Sequence, residues 1–145
     1  MSEPLSQMVK MTKVKDHTAA GTTDVVSAIV DMAGYEGVMF VTSFGTAAVD
    51  NQMYAQQNTA NSTSGMAALE GTNVLSGASP SNEDVWIDIY KPRERYIQVT
   101  VEPNTSSTVE SIWAFQYGAR TQPCVNSVSG TIIGEAHASP AEGTA

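Results

Sequence analysis

The chain is poor in charged residues, cysteine and histidine. Charged side chains make up 15% of its 145 residues, against roughly 25% in an ordinary globular domain. The single cysteine, Cys124, cannot form an internal disulfide, so stability must come from the core or from oligomerisation. No stretch approaches the ~18 consecutive apolar residues of a membrane span. These absences predict a single domain that packs on itself or on other copies and has no membrane partner.

Positive charge is scarcer than negative charge. Seven Lys and Arg stand against fifteen Asp and Glu, which gives a formal net charge of -8 and a pI near 4.5. Because broad nucleic-acid binding needs a basic face, we predict no nucleic-acid partner. The first residues, MSEPLSQMVK, lack the apolar core of a signal peptide. We therefore expect a soluble protein that is made in the cytoplasm.

The sequence also lacks the side-chain clusters that support catalysis. A nucleophile needs a base beside it, yet the two histidines, His17 and His137, lie in the least patterned parts of the chain. There is no phosphate-binding glycine loop, and one cysteine with two distant histidines makes no metal site. The acidic pair Glu83 and Asp84 fits a solvated turn better than a calcium site. We predict no enzyme activity, no cofactor and no metal.

Short β-strand patterns recur from Val25 onward. Apolar residues alternate with polar ones, or run together, between turn signals, as in a sandwich or barrel. No segment has a convincing 3.6-residue period, although one helical turn at 65–70 would fit inside the polar segment 59–82. The predicted strands are residues 24–30, 37–44, 52–58, 84–90, 96–101 and 111–118. The pattern therefore predicts an all-β, antiparallel sandwich.

Three regions differ in composition. Residues 1–22 hold Lys10, Lys13 and Lys15, carry no helical stripe, and end in a small-residue linker. We interpret them as an extended N-terminal arm outside the core, the alternative being a disordered tail. Residues 23–145 form the single β domain, and its last part, from about residue 130 to 145, is predicted to be an extended tail.

A basic bend lies between the two most regular strand patterns. Lys91, Arg93 and Arg95 fall within five positions in the stretch DVWIDIYKPRERYIQVTV (84–101), where Pro92 suits a strand end. We interpret the bend as the turn of a hairpin. The guanidinium of Arg95, next to Tyr96, would point inward and hold the Asp31 carboxylate in two-pronged fashion. Asp31, Arg95 and Tyr96 are therefore predicted to form a structural clamp, while Lys91 and Arg93 point outward.

Three stretches together resemble a known family. They are VDMAGYEGVMFVTSFG (30–45), VWIDIYKPRERYIQVTV (85–101), and WAFQYGAR (113–120) followed by HASPAEGTA (137–145). The chain resembles, over residues 23–145, the head decoration or cement proteins of tailed bacteriophages. The resemblance implies a jelly-roll-like or tulip-shaped β fold, no enzyme activity, and a trimer that binds the outside of the mature capsid and stabilises it.

The resemblance also implies partners and contact residues. The major capsid protein and further copies of the chain would be the partners, and the virion exterior the location. The candidate contacts with capsid or subunit are the cations outside the clamp, namely Lys10, Lys13, Lys15, Lys91, Arg93 and Arg120.

Two other functions stay open, and a cryptic hydrolase is a third alternative that the missing histidine constellation argues against. One is another virion role, in the tail or at the head–tail joint. The other is a carbohydrate-binding β-sandwich with Trp86, Trp113 and Tyr117 as a stacking platform. The core-like alternation of these rings along their strands is the argument against that platform.

Overall fold

The computed structural model describes residues 3–145. In this range one helical turn, α1 (Leu5–Met8), precedes twelve strands. The strands are β1 (Lys10–Lys15), β2 (Thr18–Gly21), β3 (Val25–Val26), β4 (Val30–Asp31), β5 (Gly37–Ser43), β6 (Gln52–Asn58), β7 (Ala67–Ala68), β8 (Val74–Leu75), β9 (Asp84–Tyr90), β10 (Tyr96–Glu102), β11 (Ser107–Val109) and β12 (Ile112–Tyr117).

The strands form two main antiparallel sheets. The first has the order β1-β12-β5-β9. The second has the order β3-β10-β6-β7, with β4 also paired to β10 and β8 to β6, and a small third sheet joins β11 to β2. The predicted all-β, antiparallel sandwich is confirmed. No helix among residues 3–145 has both the length and the apolar character to cross a membrane.

Alternation along the strands places one apolar face of each main sheet in the core. Strand β9 shows the pattern clearly, because Val85 and Ile87 are buried while Trp86 and Asp88 are exposed. The largest fully buried apolar side chains are contributed by both sheets and by the connections between strands: Phe40, Phe44, Met53, Ile97, Ile112, Val38, Val99, Val101 and Val109. The core is therefore the layer between the two sheets.

The predicted hairpin at the basic bend is wrong. Strand β9 pairs with β5 along its whole length in the first sheet, whereas β10 pairs with β6 on one side and with β3 and β4 on the other. Residues 91–95 therefore carry the chain from one sheet to the other. Alternation correctly identified both strands, but it shows which residues share a face and carries no information about the pairing partner.

The predicted N-terminal arm is also wrong in its boundary. Strand β1 is an edge strand of the first sheet and pairs with β12. Val14 is 5% exposed and belongs to the core, and its carbonyl accepts a hydrogen bond from Ala28 N at 2.8 Å. Residues 10–15 are thus part of the domain. The sequence pattern hid this strand because its register against β12 shifts between Lys13 and Lys15, which interrupts the alternation.

Two smaller differences concern local structure. The predicted strand 24–30 is divided into β3 and β4 at Ser27, whose buried hydroxyl accepts a hydrogen bond from Val99 N at 3.0 Å. The polar segment 59–82 contains the short strands β7 and β8 in place of the predicted helical turn. Residues 118–145 have no helix or strand, so the extended C-terminal segment starts earlier than residue 130.

Removing residues 1–15 is expected to destabilise the whole domain. The deletion exposes the edge of β12 and takes Val14 out of the core, and burial of one valine side chain alone is worth about 1.5–3 kcal/mol. We expect the melting temperature, followed by circular dichroism, to fall by roughly 5–10 °C or more. Deletion of residues 137–145, all of them exposed, is the control and should leave it unchanged. Equal melting temperatures for the two truncations would contradict the structural role of β1.

Candidate protein-interaction face

The outer surface of the first sheet carries a broad set of aromatic and apolar side chains, which we call the aromatic face. They occupy the positions that alternate with core residues. Its members are Met11 of β1, Met39 and Val41 of β5, Trp86 and Tyr90 of β9, and Trp113, Phe115 and Tyr117 of β12. Trp86 is 61% exposed and Tyr90 is 64% exposed. Large rings this open to water are typical of surfaces that contact another molecule.

Strand register aligns these side chains in rows. One row runs across the four strands through Lys13, Trp113, Val41 and Trp86. On β12 the rings of Trp113 and Phe115 stack with their centroids 6.4 Å apart. A neighbouring row contains Met11, Phe115, Met39 and Asp88. Each row is therefore apolar at three of its four positions, with Lys13 at the β1 edge of one row and Asp88 at the β9 edge of the other.

Tyr117 and Gly37 shape the β9 end of the aromatic face. A Cβ atom on Gly37 would lie 2.3 Å from the Tyr117 ring, so the ring occupies the space that any other residue at position 37 would fill. The Tyr117 hydroxyl donates a hydrogen bond of 2.5 Å to Asp88 Oδ1. Burial raises the pKa of Tyr117, and the neighbouring Asp88 carboxylate raises it further. The phenol therefore stays protonated and holds the carboxylate between Trp86 and Tyr90.

Strand β9 is an edge of the first sheet and, within residues 3–145, has no strand partner on its outer side. The residues just before and just after β9, Glu83 and Lys91, both bond toward β5. Glu83 O accepts from Phe44 N at 2.9 Å, and Lys91 N donates to Glu36 O at 2.8 Å, so odd-numbered residues face β5. In an antiparallel pair the bonded positions alternate, so the amides and carbonyls of Trp86 and Asp88 point away from β5. Such an edge can accept a strand from another chain.

The opposite edge of the same sheet is covered by residues 124–136, which we call the C-terminal strap. Asn126 Oδ1 accepts a hydrogen bond from Met11 N at 2.6 Å, and its Nδ2 donates to Ser6 O at 2.6 Å and Val9 O at 3.0 Å. One side chain thus bonds to one backbone amide of β1 and to two backbone carbonyls of the residues before it. Beneath the strap, against Trp113 and Phe115, lies a cavity of about 510 Å³.

The outer surface of the second sheet is polar by contrast. Gln56 Oε1 accepts hydrogen bonds from Gln98 Nε2 and Thr100 Oγ1, both at 2.8 Å. Beside them, Gln52 donates to the Glu102 carboxylate. These side chains bond to one another across β6 and β10, where Gln98 and Thr100 are buried and, within residues 3–145, Gln98 Oε1 has no hydrogen-bond partner. The two outer surfaces therefore differ, and the aromatic face is the one suited to apolar contacts.

The predicted clamp residues come together, but at the surface. Arg95 Nε and Nη2 donate to Asp31 Oδ1 and Oδ2 at 2.8 and 2.9 Å, and the guanidinium lies over the Tyr96 ring, 5.3 Å from its centroid. The Arg95 and Asp31 side chains are 57% and 47% exposed. The predicted inward orientation of Arg95 is wrong, because backbone pairing of β4 with β10 places both side chains on the solvent side.

The six candidate contact cations form two groups. Lys91, Arg93 and Arg120 line, together with Arg95, a concave site of about 520 Å³ beside the turn at residues 32–36, which we call the basic pocket. Lys10, Lys13 and Lys15 belong to β1. Within that strand Lys10 donates to the Val125 carbonyl and Lys13 to the Thr131 hydroxyl, so both hold the C-terminal strap.

Some functional features were missed or misread from the sequence. Trp86 was read as lying on a core-like face, yet its ring points to solvent, because both faces of β9 contain large apolar residues and composition alone does not tell inner from outer. Asn126 gave no signal, since an asparagine that caps a strand edge more than a hundred residues away has no local motif. Among residues 3–145, no group of three or more His, Cys, Asp or Glu side chains is placed to hold a metal ion.

Comparison with known proteins bears on the fold. Neither a scan against protein-family models nor a search of curated proteins gives a match. Among solved structures, the chain is similar to a protein of the Bacillus endospore appendages, which are described as a novel family of disulfide-linked pili. The sequences are 12% identical, the TM-score is 0.50, and the similarity covers 76% of this chain and 88% of that one. The two proteins share a β fold.

Replacing Asp31 by Asn is expected to cause a small, pH-dependent loss of stability. The hydrogen bonds from Arg95, and next the one from Ala33 N, lower the pKa of Asp31. A carboxyl group whose pKa is lower in the folded than in the unfolded state stabilises the fold above its unfolded value, about 3.9, and loses this effect as the pH falls through the folded value. Because the pair is exposed, salt should also weaken it.

Thermal melts of the natural chain and of Asp31→Asn provide the measurement. The difference in melting temperature should be present at neutral pH, shrink at high salt, and disappear at a pH below the folded pKa. Asp24→Asn makes the same charge change at an exposed position and serves as the control. A difference between the natural chain and Asp31→Asn that does not change with pH would contradict the ion-pair explanation.

Proposed function

We propose that this chain is a non-enzymatic structural protein that binds other protein subunits through its aromatic face, and specifically that it decorates the outside of a mature bacteriophage head as a trimer and stabilises it. The observation that carries the proposal is the exposure of the Trp86 and Tyr90 rings on the aromatic face. Aromatic side chains are enriched in protein interfaces, where their burial supplies much of the binding energy.

The size of the aromatic face supports assembly through several weak contacts. Four strands of six or seven residues present a surface of roughly 20 by 20 Å at ordinary strand spacing. The C-terminal strap lies over the Trp113 and Phe115 part of this surface, so the open part is well below the roughly 800 Å² that a stable interface usually buries on each partner. A single copy would therefore bind weakly, whereas a trimer gains durable attachment from multivalency.

The contrast between the two outer surfaces supports an orientation. The outer face of the second sheet carries the hydrogen-bonded polar side chains Gln56, Gln98 and Thr100 where the first sheet carries rings. The aromatic face would be buried if it met a capsid subunit or another copy, which removes the rings from water. The unpaired edge of β9 adjoins this face, so a neighbouring strand could extend the sheet at the same contact.

The proposal predicts that the protein binds an assembled shell and protects it. The first step is to test whether the neighbouring coding sequence encodes a major capsid protein, whose shell is then the one to use. Co-sedimentation with mature and precursor shells measures binding. A ligand that binds only the assembled state stabilises it by about 2.7 kcal/mol per site at a hundredfold excess over Kd. Bound protein should therefore raise the temperature at which the mature shell releases its genome.

Trp86→Ser should abolish binding and leave the melting temperature of the free protein nearly unchanged, because the ring is exposed. Leu75→Ser is the matched control, since Leu75 is 63% exposed and belongs to the second sheet. Light scattering measures the molecular mass of the free protein independently of binding, and we expect the mass of a trimer. Failure to bind either shell would overturn the decoration role, and a hexamer, ring or open polymer would favour a tail or fibre subunit.

A carbohydrate-binding protein is the second candidate, and the same exposed rings favour it. Trp86, Asp88 and Tyr90 are alternate residues of β9 and lie on the same side of the strand, with the Asp88 carboxylate between the two rings. Apolar surfaces with a polar group nearby are suited to orienting a ligand. A sugar-binding chain would give glycan-array signals that disappear in Trp86→Ser. The structural proposal expects no such signal, and Trp86-dependent glycan binding without shell binding would replace it.

A further inference from the structure

The basic pocket collects most of the positive charge of an acidic chain. Four of the seven Lys and Arg residues line it, namely Lys91, Arg93, Arg95 and Arg120. Two carboxyl residues, Glu36 and Glu94, share the lining. The pocket is therefore locally positive although the whole chain carries a formal charge of -8.

Backbone hydrogen bonds fix the three segments that form the pocket. Lys91 N bonds to Glu36 O at 2.8 Å, and Met32 N bonds to Arg95 O at 2.8 Å, so the crossover between the sheets is tied to the turn at both ends. Arg120 N bonds to Gly34 O at 2.9 Å and brings the third segment in. A concave site whose backbone is held in this way needs little ordering when a ligand binds.

Three of the four cations are available to a ligand. Within residues 3–145, the ion pairs to carboxylates are made by Lys13, His17, Arg95 and His137. Lys91 instead lies over the Tyr90 ring, 5.3 Å from its centroid. Lys91, Arg93 and Arg120 are all exposed. Asp31 is bound by Arg95, so the N–H donors of the other three side chains remain open to a ligand.

We propose that the basic pocket binds a carboxylate-bearing segment of another protein molecule. Guanidinium groups recognise carboxylates and phosphates through paired N–H donors. A carboxylate is favoured over a phosphate because Glu36 and Glu94 in the lining repel the double charge of one phosphate group more strongly than the single charge of one carboxylate. This inference is independent of the capsid proposal, because any acidic peptide tests it.

A labelled hexaglutamate peptide is the probe, with hexaglutamine as the uncharged comparison. Amide resonances of the ¹⁵N-labelled protein should shift at residues 32–36, 91, 93–95 and 120 when hexaglutamate is added, and fluorescence anisotropy gives its Kd. Raising the salt concentration should weaken binding because the attraction is between charges. Hexaglutamine should cause no shifts at these residues.

Arg93→Gln and Arg120→Gln should each weaken hexaglutamate binding by about tenfold, as expected for one lost hydrogen bond between charged groups. Both side chains are exposed, so the melting temperatures should stay unchanged and the amide spectra should remain those of the folded protein. Lys15→Gln removes one positive charge at an exposed position of β1 and should leave the Kd unchanged.

Three results would overturn the inference. Equal weakening by Lys15→Gln would show attraction to net charge in place of a site. Shifts spread over the surface, without a cluster at the basic pocket, would do the same. Inorganic phosphate that binds at these residues while hexaglutamate does not would replace the acidic segment with a phosphate ligand.

Discussion

Burial of apolar side chains between the two sheets is the interaction on which the rest of the structure depends. Phe40 of β5 and Ile97 and Val99 of β10 are fully buried, and each such side chain contributes about 1.5–3 kcal/mol. The chain has one cysteine, and its clearest ion pair, Asp31–Arg95, is exposed and contributes far less. Neither a covalent link nor that ion pair could replace the apolar layer.

That layer also determines what lies outside it. Because successive side chains of a strand point to opposite faces, burying Val85 and Ile87 forces Trp86 and Asp88 outward. The same holds on β12, where Ile112 and Ala114 face the core. The aromatic face is therefore a consequence of sheet geometry combined with a second set of large apolar residues. Met11, Trp113 and Phe115 of this set lie against the C-terminal strap. Trp86 and Tyr90 stay exposed, and the proposed partner contact rests on these two rings.

Sequence patterns predicted the elements better than their arrangement. The strands at 37–43, 52–58 and 84–90 were predicted nearly to the residue, because alternation and turn residues are local signals. The crossover at residues 91–95 was misread as a hairpin turn, since a proline between two alternating strands looks the same in either case. Strand β1 was missed because a shift in register breaks its pattern, and Val14 became recognisable as a core residue only once β12 lay beside it.

Candidate site residues show the same limit. The pairing of Asp31 with Arg95 was predicted from charge and position, but its exposure depends on which side of β4 and β10 faces water.

The six remaining cations looked equivalent in the sequence, and the fold gives them different contacts. Lys10 and Lys13 hold the C-terminal strap against β1, which uses their donors within the chain. Lys91, Arg93 and Arg120 meet at the basic pocket only because residues 91–95 cross between sheets beside the turn at 32–36. The misread crossover is thus the feature that brings these cations together, and the positive charge left for a partner is concentrated where the chain changes sheets.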